Sequence, residues 1–530
     1  MESVGPEFSG IRWTRTELDR LADSVPVDRR DESDWEEFPV SAPATGEQIA
    51  TIPRCRVADV ERAAEKARGA AREWGNRTPG ERATILQRFA DEVDQEQEAL
   101  LDLLQLETGK SRRDALEEVL DVPLTAEYYA DTAEKTLAPE SRKSGLPGFT
   151  TAEVQYEPVG VVGVISPWNF PMNLSVTDLI PALVAGNGVV LKPDEKTPFI
   201  ALELVSLLRK AGMPTDLVQV VTGDPETVGS TLIDNVDYLA FTGGTETGRI
   251  VAEQAGRNLI DCSLELGGKN PFVVLDDVDP ETAARGAVKA AFTNAGQLCL
   301  AAERMYVEDD AYEEFLDAFV GKTRALTLGT GYDYETQVGS LIGPAQLERV
   351  ETHVEDAIDR GANVLTGGRA RPDLGPYFYE PTILTDVSED ARLYDEETFG
   401  PVVRVERVPS AGAAVERAND SVYGLQASVW TSDRERGVSV AEQIACGTVC
   451  VNDPYTAGWA AHDAPMGGFG DSGLGRRHGP EGIRRFVEPK TIAVSRIGPI
   501  DAPPWLPQRW YARMLSGLST IQRRLRRWSR

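Results

Sequence analysis

The chain has 530 residues, 41% of them hydrophobic, with 55 Lys and Arg against 85 Asp and Glu, a net charge of −30. That length allows two or three cooperating domains with large cores, and the apolar content excludes wholesale disorder. The charge excludes a bulk nucleic-acid binder, because a phosphate backbone is repelled by such a surface.

In chain order, residues 1–30 are polar and read as a loosely held N-terminal arm. Val60, Ala63, Ala64, Ala67, Ala71 and Trp74 recur at the spacing of an amphipathic helix over Val57 to Trp74. Ile85, Leu86, Phe89 and Val93 begin a second, and Leu116, Val119 and Leu120 belong to a third. From 159 short β-branched runs (159–165, 188–191, 217–221, 237–241) alternate with helical stretches near 173–185, 198–211, 225–233 and 246–256. Such alternation implies a parallel, doubly wound sheet, which binds ligands beyond the carboxyl ends of its strands. A second alternating set runs from a strand at 271–275 and a helix at 281–295 to a strand near 425–430, a second α/β domain. The seam at Gly267-Gly268-Lys269-Asn270 reads as a hinge between the two.

Cys55, Cys262, Cys299, Cys446 and Cys450 are too few and too scattered for a disulfide framework, and no His cluster completes a metal site. The first residues lack the basic-then-apolar form of a signal peptide, and no run approaches the ~20 apolar residues of a membrane span. The expectation is a cytoplasmic protein with reduced thiols and no metal.

Cys299 follows a predicted helix in Thr293-Asn294-Ala295-Gly296-Gln297-Leu298-Cys299, where glycine permits an exposed turn. It is either a small buried hydrophobe or a nucleophile. Glu265, between two leucines, is either a solvated edge residue or a carboxylate tuned upward for general-base work. The loop Phe241-Thr-Gly-Gly-Thr-Glu-Thr-Gly248 follows a strand and opens a helix, so its backbone N–H groups can approach a phosphate. Gly473-Leu-Gly475 precedes Arg476 and no clear strand, and reads as a turn.

Together these segments resemble the aldehyde dehydrogenase family over roughly residues 35–495. The resemblance rests on Pro167-Trp-Asn-Phe-Pro171, Lys192-Pro-Asp-Glu-Lys-Thr-Pro198, Phe241–Gly248, Glu265-Leu-Gly-Gly-Lys269, Gly296-Gln-Leu-Cys299 and Glu397-Thr-Phe-Gly-Pro401. Stretches near 106–115 and 465–479 look like a bacterial succinate-semialdehyde dehydrogenase branch. The resemblance implies a Rossmann-like cofactor domain (31–138 and 157–267), an α/β catalytic domain (268–465) and a small β oligomerisation arm (139–156 and 484–500). It implies a homodimer or homotetramer that oxidises an aldehyde to the acid. Cys299 is then the nucleophile, Asn169 with the Cys299 N–H the oxyanion holder, and Glu265 the base for hydrolysis. Lys192 and Glu195 would hold the adenosine ribose, and Gly243, Gly244, Thr245 and Gly248 the pyrophosphate. Glu397 and Phe399 would sit at the nicotinamide end, with Ser166, Trp168, Gly223 and Leu266 completing the cofactor wall. A carboxylate at Glu195 favours NAD over NADP, with Lys196 able to soften its repulsion of a 2′-phosphate.

The chain departs from the family at Gly244, usually Ser, and at Gly470, usually Lys. It has Thr177 and Thr293 where better-understood succinate-semialdehyde enzymes carry carboxylate-binding arginines. Tyr455, Trp459 and His462 are expected to line the aldehyde tunnel and suit an apolar or aromatic tail. A CoA-acylating enzyme is the related alternative, opposed by Glu265; a non-catalytic scaffold is opposed by intact Cys299, Glu265 and Asn169.

Residues 501–530 hold seven Arg and one Asp, +6 against −36 for the remainder. Tyr511, Met514, Leu515, Leu518, Ile521, Leu525 and Trp528 form a helical stripe, so the tail reads as a membrane-surface anchor or as a segment packed on the acidic body or a neighbouring subunit. With 11 Lys to 44 Arg, the acidic, Lys-poor composition resembles that of salt-loving microbes such as halophilic archaea. A GC-rich genome is the alternative.

Overall fold

The computed structural model describes residues 11–27, 36–145 and 148–528. The chain divides into two compact units, the larger reaching to Leu137 and from Pro158 to Glu488, the smaller joining Ala138–Glu157 to Pro489 and the residues after it.

The larger unit holds two mainly parallel sheets. The first runs in space Gly473–Leu474, Asp261–Glu265, Tyr238–Thr242, Val161–Ser166, Gly188–Pro193, Val218–Val220. Its strand order reverses between Val161–Ser166 and Tyr238–Thr242, the switch point where such sheets open a ligand crevice. The second sheet runs Asn363–Thr366, Thr382–Thr385, Val402–Val408, Ala302–Glu308, Asn270–Val274, Gln426–Trp430, Thr448–Val451. The inner strands of both sheets are almost wholly buried and rich in Val, Ile and Leu, as parallel strands covered on both faces must be, while the edge strands Asn363–Thr366 and Gly473–Leu474 hold no buried residue.

Several expectations change. The N-terminal arm is not loose over its described part: Thr14 caps a helix Arg15–Ala22, Leu18 and Leu21 are buried, and the Trp13 indole donates to the Ala99 carbonyl at 2.7 Å. Residues 1–10 and 28–30 of the arm lie outside the described residues. Helix Arg112–Thr136 turns Leu120 outward and buries Glu118, because Glu118 has buried partners to meet. Gly473–Leu474 is no isolated turn but an edge strand paired antiparallel with Leu264 and Glu265, which ties the end of the chain's larger unit to the first sheet. The seam at 267–270 is held rather than open: Lys269 is buried and donates to Glu303 and to the Glu396 carbonyl.

In the smaller unit Glu140–Arg142, Thr150–Pro158 and Val487–Ser495 form a three-stranded sheet. Its boundary falls near 489 instead of 484, because Ile483 and Phe486 are buried in the larger unit. The tail forms a helix Gln508–Trp528.

Candidate active site

Helix Pro280–Phe292 does not run to 295. It breaks into a short turn, Thr293–Gly296, in which Asn294 and Ala295 adopt left-handed φ of 51° and 53° and Gly296 a φ of 72°. A side chain at Gly296 would collide with the Gly400 carbonyl, so only glycine passes there. Gln297 locks the turn, donating to the Asn294 carbonyl at 3.0 Å and accepting from Ile342 N–H at 2.9 Å. Cys299 emerges partly buried, its carbonyl taken by Asn270 Nδ2 at 2.7 Å.

Cys299 is common to two cavities. The larger also meets Trp168, Asn169, Gly243, Gly244, Glu265 and Glu397. The smaller is walled by Phe170, Leu174, Leu298, Trp459 and Met466, with Thr177, Arg477 and His478 among its polar neighbours. Cys299, Glu265 and Asn169, far apart in sequence, thus face one space.

Asn169 is nearly fully buried and donates from Nδ2 to the Gln297 carbonyl at 3.1 Å, leaving the second amide hydrogen for another acceptor. Its own carbonyl is fixed by Lys110 Nζ at 2.8 Å and Asn294 Nδ2 at 3.0 Å. Glu265 ends the strand Asp261–Glu265, is 5% exposed, and its Oε1 has no hydrogen-bond partner among the described residues. Burial pushes its carboxyl up to about 7, against the opposing pull of Arg477 and Arg485. Burial, with the carboxylates of Glu397 and Glu265 adding, pushes the Cys299 thiol up to about 12. Such a thiol needs a nearby base to release its proton, and Glu265 is one whose affinity suits neutral pH.

The larger cavity carries features that suit the diphosphate and nicotinamide parts of a dinucleotide, whereas Lys192, Glu195 and Gly223 do not line it. Helix Thr245–Asn258 begins at Gly244 without a side-chain cap, so its first-turn N–H groups remain open to an anion. Gly244 has open space around it, whereas a side chain at Gly243 would meet the Phe241 ring at 2.5 Å. Gly248 lets Leu266 pack against the helix, which assigns these two residues to shaping the cleft. Thr245 Oγ1 donates to the Asp471 carbonyl at 3.4 Å. At the other end Trp168 and Phe399 meet edge to face at 5.5 Å, and Glu397 accepts from Gly268 N–H at 2.9 Å. Burial, with Glu303 adding, raises the Glu397 carboxyl to about 7.

Ser166 is buried and accepts from Ser175 Oγ at 2.9 Å. Lys192 is buried at the end of strand Gly188–Pro193, and Gly223, at φ 138°, leaves room for Val228 and Arg54. Glu195 is not softened by Lys196, which pairs with Asp194 at 3.3 Å. Its partner is Arg54 at 3.4 Å, which also holds Asp224 at 3.0 Å.

Of the expected tunnel residues only Trp459 lines the smaller cavity. Tyr455 is fully buried behind it, its hydroxyl donating to Glu117 at 2.8 Å and lying 3.1 Å from Thr293 Oγ1; His462 pairs with Asp121 at 3.0 Å. Gly470 is left-handed, at φ 55°, and a side chain there would press on the Val422 carbonyl; nothing in the structure explains the loss of the family's lysine. Among the described residues no cluster could hold a metal.

A layer of buried charge that no motif marks braces the site. Glu118 accepts from Lys110 at 3.2 Å and from the N–H groups of Met172 and Asn173, seating the helix after Asn169. Glu303 does the same for Thr398 and Phe399, and Gln346 and Arg349 brace the Glu397–Phe399 stretch from the cleft wall. A charged residue on the apolar stripe of a helix, as Glu118 is, was the available signal.

Residues 30–492 match the model of the aldehyde dehydrogenase family. A Mycobacterium ulcerans protein provisionally named an NADP(+)-dependent succinate-semialdehyde dehydrogenase is 47% identical over 90% of this chain and 93% of its own. Betaine aldehyde dehydrogenase of Bacillus subtilis is 38% identical over 85% and 92%. Among solved structures, Staphylococcus aureus betaine aldehyde dehydrogenase in complex with NAD+ superposes with a TM-score of 0.85 at 31% identity, covering 93% of this chain and 99% of that one. Succinate-semialdehyde dehydrogenase from Burkholderia pseudomallei does so with 0.83 at 36% identity, covering 87% and 95%.

Proposed function

The chain belongs to the aldehyde dehydrogenase family, an NAD(P)-dependent oxidoreductase fold, and from that premise we propose that it oxidises an aldehyde to the free carboxylic acid through Cys299. The observation that carries this reading is Cys299 at the meeting of two cavities with the unpartnered carboxylate of Glu265 beside one of them. Glu265 takes the Cys299 proton, and the thiolate adds to the aldehyde carbonyl. The free amide hydrogen of Asn169 and the Cys299 N–H stabilise the oxyanion, each donor typically worth ~3–4 kcal/mol. A bound cofactor would supply the hydride acceptor, and Gly243, Gly244 and Thr245 would hold its diphosphate, Lys192 and Glu195 its adenosine ribose, and Trp168, Glu397 and Phe399 its nicotinamide end. Hydride loss from the adduct leaves a thioester, and Glu265, once it has passed the thiol proton to solvent, activates the water that hydrolyses it. Glu195 supports a preference for NAD over NADP, moderated by the Arg54 cation beside it.

For the substrate, the apolar wall of the smaller cavity supports an apolar or aromatic tail. The 47% identity to a protein named for succinate semialdehyde supports that aldehyde as the second reading. NADH formation across a panel of both classes, alongside Cys299→Ala, tests the reading. Turnover that ranks the aldehydes and vanishes in the variant is expected; equal rates from both proteins would sink it.

The sheet of the smaller unit, with Ile492 and Val494 exposed, supports assembly into a homodimer or homotetramer. No helix among the described residues is long and apolar enough to cross a membrane. The tail supports surface attachment from the cytoplasmic side. Trp510, Met514, Leu518 and Ile521 follow one another on one helix face, all exposed, and Trp505 precedes them at 79% exposure. Arg509, Arg513, Arg523, Arg524 and Arg527 flank that face, matching an anionic lipid surface. The side chains of Leu525 and Trp528 lie outside the described residues. Co-sedimentation with phosphatidylglycerol vesicles, lost on deleting 501–530, is the expected result. Both forms staying in the supernatant overturns it.

A further inference from the structure

Arg477 is 3% exposed, yet it lines the smaller cavity beside Cys299. Its guanidinium is clamped by Asp178 of helix Pro171–Ala185, Nε to Oδ1 at 3.0 Å and Nη2 to Oδ2 at 2.6 Å, and Nη2 also donates to Thr242 Oγ1. Arg485 takes the same carboxylate at 2.6 Å and donates to Ser263 Oγ at 2.9 Å. Thr242 is the register partner of Glu265 on the neighbouring strand, and Ser263 lies two residues before it on the same face. Two guanidiniums and one carboxylate are therefore fastened to the patch of sheet that carries Glu265.

The charges do not cancel. Arg477 and Arg485 against Asp178 leave one positive charge in a buried site, and Glu265, when ionised, completes the balance. Burial works against ionised Asp178, but the two arginines bring its carboxyl below the usual range, so it stays charged. The other charged groups acting on Glu265 are Arg476 and Asp178 itself, and on Cys299 they are Glu397 and Glu265. Arg477 is the cation that acts on both Glu265 and Cys299.

We propose that Arg477, fixed by Asp178, is a positioning residue whose uncompensated charge holds Glu265 as a carboxylate, ready to accept the proton of Cys299 and later that of the hydrolytic water. The inference rests on the reading of Cys299 and Glu265 given above. No direct bond to Glu265 is required, since a buried field acts over several ångströms.

The test uses the full chain and two readouts, the pH profile of kcat and the pH dependence of Cys299 alkylation by iodoacetamide in the absence of substrate. Arg477→Gln removes the cation. The acid limb of kcat and the alkylation midpoint should both move up by about one pH unit, a tenfold change in proton affinity. Arg477→Lys keeps the charge and should restore the limb to within about half a unit of the parent. Asp178→Asn leaves two cations unopposed and should move the limb the other way. A loss for Arg477→Gln that is the same factor at every pH, an unshifted profile, or a shift of Asp178→Asn in the same direction as Arg477→Gln overturns the inference. If Arg477→Gln does not fold, the lysine and asparagine variants decide alone. A parent enzyme that keeps its activity in Cys299→Ala would instead defeat the underlying reading.

Discussion

The ammonium of Lys110 donates to the main-chain carbonyl of Asn169 at 2.8 Å, and in the same reach it pairs with Glu118 at 3.2 Å, both side chains wholly buried. A charge more than fifty residues upstream thus fixes the backbone that aims the Asn169 amide. Lys110 also lies over the Phe170 ring at 4.1 Å, which offsets part of its desolvation. Replacing it with Met leaves Glu118 buried without its cation. Lys110→Met should lose about 3–5 kcal/mol of stability, the usual result of breaking a buried pair from one side. Urea unfolding measures it, and kcat should fall with little change in KM.

Asn169→Ala removes the side-chain oxyanion donor while sparing the backbone. We expect kcat to drop by roughly 10²–10³ with KM nearly constant. Steady-state kinetics with a good aldehyde reads this. A rise in KM at constant kcat would place Asn169 in ground-state binding instead.

Glu265 sets opposite pH trends for activity and stability. Its carboxyl is raised from 4.5 to about 7 by burial. Its contribution to stability is therefore full below 4.5 and is lost as pH rises through about 7, while the base is active only above it. The kcat should climb through pH 7 as the pH-dependent part of the stability declines. Glu265→Gln should flatten that stability trend and slow both steps that need the base, so that the first-turnover formation of NADH and the steady-state rate both fall.

Gly244 sits at the N-cap of helix Thr245–Asn258 with nothing near enough to oppose a side chain. Its backbone, at φ −69° and ψ 149°, is one a serine adopts freely. Gly244→Ser should raise stability by roughly a few tenths of a kcal/mol through the cap. It should also tighten NAD+ by adding a hydroxyl beside the diphosphate. Calorimetric melting and NAD+ titration check the two effects separately.

Glu195 repels a 2′-phosphate, and Arg54 is the cation held against it. Glu195→Ser removes the repulsion and leaves Arg54 on Asp224. The ratio of kcat/KM for NADP+ over NAD+ should rise about tenfold, equivalent to ~1.4 kcal/mol. An unchanged ratio would show that this carboxylate does not discriminate the two cofactors.

Much of the molecule is legible in its residues. The alternating β-branched runs and amphipathic stretches locate both sheets, because helix and strand periods are local properties of the chain. Cys299, Glu265 and Asn169 are identifiable because their motifs are contiguous and chemically distinct. Helix ends were less readable. The turn Thr293–Gly296 uses left-handed backbone at Asn294 and Ala295, which only the surrounding packing can impose.

Where the buried charges find their partners depends on the folded chain. Asp178 and Arg477 lie 299 residues apart, Lys110 and Asn169 lie 59 apart, and nothing local to any of them announces the contact. The net charge of −30 likewise said nothing of the positive centre beneath Glu265. A charge withdrawn from water must be matched in space, and the match can come from any part of the chain that the fold carries there. Residue chemistry and local periodicity set which atoms can react and which segments form strands and helices. Only the folded chain decided the electrostatic setting in which Cys299 and Glu265 sit.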